Sequence, residues 1–197
     1  MELRPRGGMP RYSTRHVWLA LHELRRESPL GRKDLALKLD LGEGSVRSIL
    51  DLLRRNGMIR TTRAGVFLED AGEKVLEDLG IELAEFRCGA FESTFCLIVR
   101  SAGHVIKYGI EERDAAVRGG ANGALTLFMS EGRLMMPGPD GAIPVEDLYP
   151  DCTDLKVDLE DGDVVIIPLG ENALEGGIEA ALDLAERAGR SFDRYFK

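Results

Sequence analysis

Three histidines, three cysteines and two glycine-rich turns are the residues of this chain best suited to chemistry, and their spacing leaves little room for metal or nucleophilic work. His16 and His22 stand six residues apart, which does not stack them on one helical face, and His104 is remote from both. Cys88, Cys96 and Cys152 are too few and too far apart for a disulfide framework or a paired-thiolate zinc site, as suits a reducing compartment. Cys96 falls in an apolar run with no histidine beside it, so it reads as core. The acid pairs Glu111-Glu112 and Glu160-Asp161 flank turns and helix starts, where carboxylates favour the helix dipole. No catalytic constellation emerges, nothing in the pattern requires a cofactor or a metal, and the chain does not read as an enzyme.

Two glycine turns, residues 119–123 and 169–172, offer backbone N–H groups to an anion, the second at a helix N-terminus. Neither matches a nucleotide-binding fingerprint, and turn geometry alone accounts for their glycines. The candidate site for a small anionic effector is therefore Gly120, Asn122, Gly170 and Asn172. Arg100, His104, Lys107 and Arg113 join it as the basic residues that cluster inside an acidic stretch.

The more informative chemistry is charge. The chain carries a formal −8, yet residues 1–65 hold fourteen Lys or Arg against seven Asp or Glu, a net +7, and the remainder holds twelve against 27, a net −15. A basic front on an acidic body fits a molecule of which one end meets phosphate, because each neutralised phosphate releases counterions. No apolar run approaches the roughly 20 residues of a membrane span, and the first dozen residues lack the apolar stretch of a secretory signal, so a cytoplasmic protein is expected.

The elements that must position those charges follow from periodicity. Ser13 is a suitable N-cap for a helix that buries Val17, Leu21 and Leu24, with Trp18 as core or interface. Ser28-Pro29-Leu30-Gly31 ends it, and a short second helix over 32–39 buries Leu35 and Leu39. After a turn at Leu41–Gly44, Val46, Ile49, Leu50 and Leu53 mark the buried stripe of a third helix. Advancing about 100° per residue then sets Gly44, Arg47, Ser48, Asp51 and Arg55 on the opposite face. Small and basic residues there suit a groove, with Arg47 placed for a guanine edge or a phosphate, and Asp51 and Arg55 able to pair. Asn56-Gly57 closes this helix. Two short strands follow around a tip carrying Arg60 and Arg63, then a helix over 69–79.

This order, and the run LGEGSVRSILDLLRRNGMIRTTRAGVFLEDAGEKVL in particular, resembles the winged helix-turn-helix domains of prokaryotic transcription regulators. The resemblance implies a third helix in the major groove and a flanking wing. It carries DNA binding over to Ser45, Arg47 and Ser48, with Arg60 and Arg63 on the wing; Gly44 and Arg55 on the same outward face and the basic Arg32 and Lys33 complete the expected DNA-binding residues. Winged helices also dock proteins, so a wing that never touches DNA stays open.

From about Phe86 the pattern becomes mixed. Strands are expected over 91–100, 105–108, 124–129, 133–136 and 163–169, the last reached through residues 155–159 and a turn at Asp161-Gly162, with helices over 111–118 and 173–188. The fold expected is α+β: residues 1–80 a winged helix-turn-helix, and residues 86–197 an α+β sandwich of about five or six mainly antiparallel strands with two helices. The run KYGIEERDAAVRGGANGALTLFMSEGRLMMPG resembles an archaeal family of winged-helix proteins with an uncharacterised second domain, which implies a regulator with a sensing or assembly domain. Duplex DNA, a small anionic effector and a second copy of the chain are the expected partners. The alternatives are an enzyme acting on an anionic metabolite and a pure protein-interaction module.

Overall fold

In the computed structural model, which describes residues 12–87, 93–150, 152, 154–155 and 157–196, the chain divides into two units. One is Met1–Asp78 with Phe192–Lys197, and the other is Leu79–Ser191. The basic leader through Arg11, Cys88, and Phe91 at the start of an expected strand lie outside the described residues.

The first unit begins with α1 (Thr14–Glu27), whose opening turn is capped where the Ser13 N–H donates to Nδ1 of His16 at 3.0 Å. Val17, Leu21 and Leu24 are fully buried, as the heptad-like spacing requires. The short α2 (Arg32–Lys38) adds Leu35, and α3 (Glu43–Arg55) adds Val46, Ile49 and Leu53. Strands β1 (Ile59–Thr62) and β2 (Gly65–Leu68) form an antiparallel hairpin from Ile59↔Leu68 to Thr62↔Gly65, closed by Arg63-Ala64. Gly65 has φ +137°, and a Cβ there would lie 2.9 Å from the Leu30 carbonyl oxygen, so glycine is required where the hairpin meets the turn before α2. Helix α4 (Asp70–Leu79) follows, and the short 3-10 helix Phe192–Tyr195 joins this unit, Tyr195 Oη donating to Asp78 at 2.9 Å.

In the second unit one antiparallel sheet runs through β3 (Ile81–Arg87), β4 (Phe95–Val99), β5 (Gly123–Ser130), β6 (Arg133–Met136), β7 (Ile143–Pro144), β8 (Asp154–Leu155) and β9 (Val164–Leu169). Their spatial order is β7-β6-β5-β9-β4-β3-β8. Five strands carry the sheet, and β7 and β8 are two-residue edges. Residues of β4 and β9 are buried almost without interruption, the signature of a sheet covered on both faces. One face gathers Phe86, Cys96, Ile98, Leu127, Val165 and Ile167 under Val145 of α6 (Val145–Leu148) and Cys152. On the other, Leu97 and Pro168 meet Gly177 of α7 (Ala173–Arg187), which packs beside α5 (Ile110–Gly119).

The two helices approach backbone to backbone. A Cβ on Gly119 would sit 2.7 Å from the Gly176 Cα, and one on Gly176 would sit 2.6 Å from the Ala116 carbonyl oxygen. Across this seam Glu112, fully buried, accepts from Arg187, which also donates to Asp183 at 2.9 Å. Such a pair costs desolvation, and removing one partner strands the other charge.

Three local expectations are corrected. The strand expected over 105–108 is absent: Gly103–Val105 is a 3-10 turn, its Gly103 N–H donating to the Gly162 carbonyl at 2.7 Å. The pairing edges of β4 are taken by β3 and β9, which leaves no partner for a local hairpin. Strand β3, reached through Gly80 at φ +60°, is unanticipated because its residues continue the apolar run of α4. Cys152 is disulfide-bonded, although the cysteines are too few and too far apart in sequence to announce a disulfide framework. Cys96 is free and buried, and burial pushes its thiol up to about 12, which removes it as a nucleophile.

Gly176→Ala is expected to lower unfolding free energy by about 1–3 kcal/mol in urea melts, overlap outweighing the gain in helix propensity. Gly44→Ala, with nothing within 4 Å of the new Cβ, is expected to be neutral or slightly stabilising. His22 is buried against Trp18, the two rings stacked at 5.0 Å, and neither ring nitrogen has a hydrogen-bond partner among the described residues. Burial lowers its pKa from 6.5 to about 4, against a smaller opposing pull from Glu23. The neutral ring is favoured in the folded state, so stability is unaffected above pH 6.5. It falls as pH drops toward 4, by up to about 3 kcal/mol. His22→Phe should flatten that slope in denaturant titrations between pH 7 and 4.

Candidate nucleic-acid interface

Burying Val46, Ile49 and Leu53 turns the other side of α3 outward, where Gly44, Arg47 and Arg55 are exposed and Ser45, Ser48 and Asp51 half-buried. Gly44 has open space above it, so a ligand backbone can approach the first turn closely. Ser48 Oγ donates to the Gly44 carbonyl at 3.2 Å. The pairing expected between Asp51 and Arg55 is corrected. Asp51 takes Arg54 at 2.8 Å, while Arg55 Nε donates to the Asp51 backbone carbonyl at 3.2 Å and keeps its charge unneutralised. Arg54 lies on the flank of the helix, outside the face that periodicity selects.

The remaining basic residues fall into two groups. Arg32, at the start of α2, is held by Glu43 at the start of α3, Nη2 to Oε2 at 2.7 Å. Arg60 on β1 is paired with Glu69 at 2.8 Å, with its guanidinium 4.4 Å from the Phe67 ring centroid. Lys33, Arg47 and Arg63 are exposed, and their side chains have no hydrogen bond or ion pair with another described residue. They occupy the first turn of α2, the first half of α3 and the hairpin tip. Free cations cost no broken ion pair when they meet phosphate, unlike Arg32 and Arg60.

The expected effector residues divide as well. Gly120 and Asn172 meet, Asn172 Nδ2 donating to the Gly120 carbonyl at 3.4 Å, and the Asn122 side chain fills the space over Gly170. These four gather where β5 begins and β9 ends. Arg100 lies at the opposite end of β9, roughly 17 Å away along the strand. There it donates to Glu82 at 2.8 and 3.0 Å and to Asp163 at 2.7 Å. Burial would raise the Asp163 pKa, but N–H donation from Glu160 and Ser101 and the Arg100 guanidinium together hold it below the ordinary carboxylate value. Arg113 is paired with Asp114, and His104 and Lys107 are exposed without partners among the described residues. No cluster of three or more metal-ligating side chains occurs among the described residues. Nor is any described helix long and apolar enough to cross a membrane.

Residues 14–82 match the family model of the CggR N-terminal DNA binding domain, and residues 91–187 match a domain of unknown function, DUF4443. Among solved structures, a hypothetical protein from Pyrococcus horikoshii OT3 is 31% identical, covering 89% of this chain and 94% of that one, with a TM-score of 0.71. No curated protein matches the chain.

Glu43 places a carboxylate at the leading end of α3, beside the cations that would meet phosphate. Glu43→Gln is therefore expected to tighten binding of a random-sequence duplex about three- to tenfold at low salt, measured by fluorescence anisotropy.

Proposed function

The chain belongs to one family with the Pyrococcus horikoshii protein, joining a CggR-type DNA-binding domain to a DUF4443 domain, and from that membership we propose that it is a non-enzymatic transcriptional regulator. In this reading the first turns of α3 enter the major groove, Arg47 meets a guanine edge or a phosphate, and Ser45 and Gly44 allow close approach. Lys33 and Arg63 hold the flanking backbone on either side, with Arg55, Arg32 and Arg60 as further phosphate contacts. The observation that carries the reading is that Lys33, Arg47 and Arg63, on α2, α3 and the hairpin tip, form no ion pair with another described residue, in a domain that matches a DNA-binding family.

The same reading gives the C-terminal domain a role in sensing or assembly, and a two-fold operator calls for a homodimer. Assembly is the better supported role. Arg100 is already committed to Glu82 and Asp163 and Arg113 to Asp114, and the glycine-asparagine turn stands at the far end of β9 from Arg100.

The test is a salt titration of duplex binding with wild type and with Arg47→Ala plus Arg63→Ala. Wild-type affinity should fall steeply with salt, and the double variant should lose about two from the slope of log K against log salt. Salt-independent binding, or no binding at low salt, would leave the winged helix as a protein-docking module.

A further inference from the structure

Helix α5 commits one face inward: Glu112, Ala115, Ala116 and Gly119 are buried. Its other face carries Ile110 and Val117, 47% and 49% exposed, two turns apart, with exposed Arg113 and Asp114 between them. A helix of ten residues that leaves two branched aliphatic side chains in water on the same stripe is an unpartnered face.

The order of residues on that face says what fits it. In two antiparallel copies related by a two-fold axis through the middle of the helix, position 110 falls opposite 117 of the other copy and 113 falls opposite 114. Apolar then meets apolar at both ends, and arginine meets aspartate twice at the centre. The charges are set for this. Nε and Nη2 of Arg113 both donate to the same Asp114 oxygen, Oδ1, at 3.1 and 2.9 Å. That leaves Nη1 and Oδ2 for a neighbour and permits a closed four-residue ring across the axis. An isologous interface needs a self-complementary patch of this kind.

We propose that the outer face of α5 is the contact through which two copies of this chain pair, by antiparallel α5–α5 packing about a two-fold axis between Arg113 and Asp114. The proposal rests on the homodimer reading given above and assigns its interface. One helix pair buries less than the roughly 1,600 Å² of a standard stable interface, so the dimer is weak in free solution. It strengthens when two half-sites on one duplex hold the copies together.

The experiment is sedimentation velocity of the full chain over a concentration series, for wild type, Arg113→Glu, Asp114→Arg and an equimolar mixture of the two variants. Each variant alone places like charges across the axis and should raise the dimer dissociation constant at least about tenfold. The mixture restores opposite charges at both central positions and should dimerise within about threefold of wild type, which neither misfolding nor a different interface reproduces. A wild-type dimer that both variants leave unchanged, or variants that fail to complement each other, overturns the α5 interface while the homodimer reading stands. A wild type that stays monomeric both free and on a two-site duplex overturns the homodimer reading and the interface with it.

Discussion

Where α5 crosses α7, Gly119 and Gly176 bring two helix backbones within van der Waals contact, and the arrangement of the second unit depends on that approach. A side chain at either position would drive the helices apart and open a gap over Leu97 and Pro168, since cores hold few voids. The same crossing sets Glu112 against Arg187, so a buried carboxylate finds its counter-charge only at this separation. Beneath the helices, β4 and β9 have no polar face to show, and the sheet is stable because helices cover one side and the segment around α6 the other.

A helix that commits one stripe to the core has its opposite stripe chosen for it, and both surfaces of interest arise in this way. On α3 the inward Val46, Ile49 and Leu53 leave Arg47 pointing to solvent. On α5 the inward alanines and Glu112 leave an aliphatic and charged stripe outside. The difference lies in what accompanies each exposed face. The charges around α3 are mostly positive, with Arg47 unpaired, whereas the charges on α5 balance one another. An unbalanced face attracts a polyanion, and a balanced, partly apolar one suits a protein surface.

The winged-helix unit was legible because its signals are local. Ser13, Pro29, Gly57 and the Arg63-Ala64 tip punctuate segments whose apolar spacing is unambiguous. The second unit was legible only where an element stands alone, as in α5, α7, β5 and β9. Residues 105–108 look like a strand, but strand identity depends on a free neighbouring edge, and β3 and β9 already occupy both edges of β4. For the site, periodicity found the outward face of α3 but not which cations are spent. Nothing in the spacing of Arg32 and Glu43, or of Arg60 and Glu69, announces that each pair meets. Arg100 looked available for an anion because Glu82 and Asp163 converge on it from strands far apart in sequence.

The return of Phe192–Tyr195 to the first unit, with Tyr195 bonded to Asp78, means that the second unit is bracketed within the first in the order of the chain. Regulators that carry their second domain as a simple C-terminal appendage can exchange it in evolution by one recombination event past the DNA-binding segment. Here one such crossover would discard the closing residues of the winged-helix unit along with the exchanged domain. Two coordinated breakpoints are needed instead. The two modules of this chain are therefore expected to be inherited together, and to diverge as a pair.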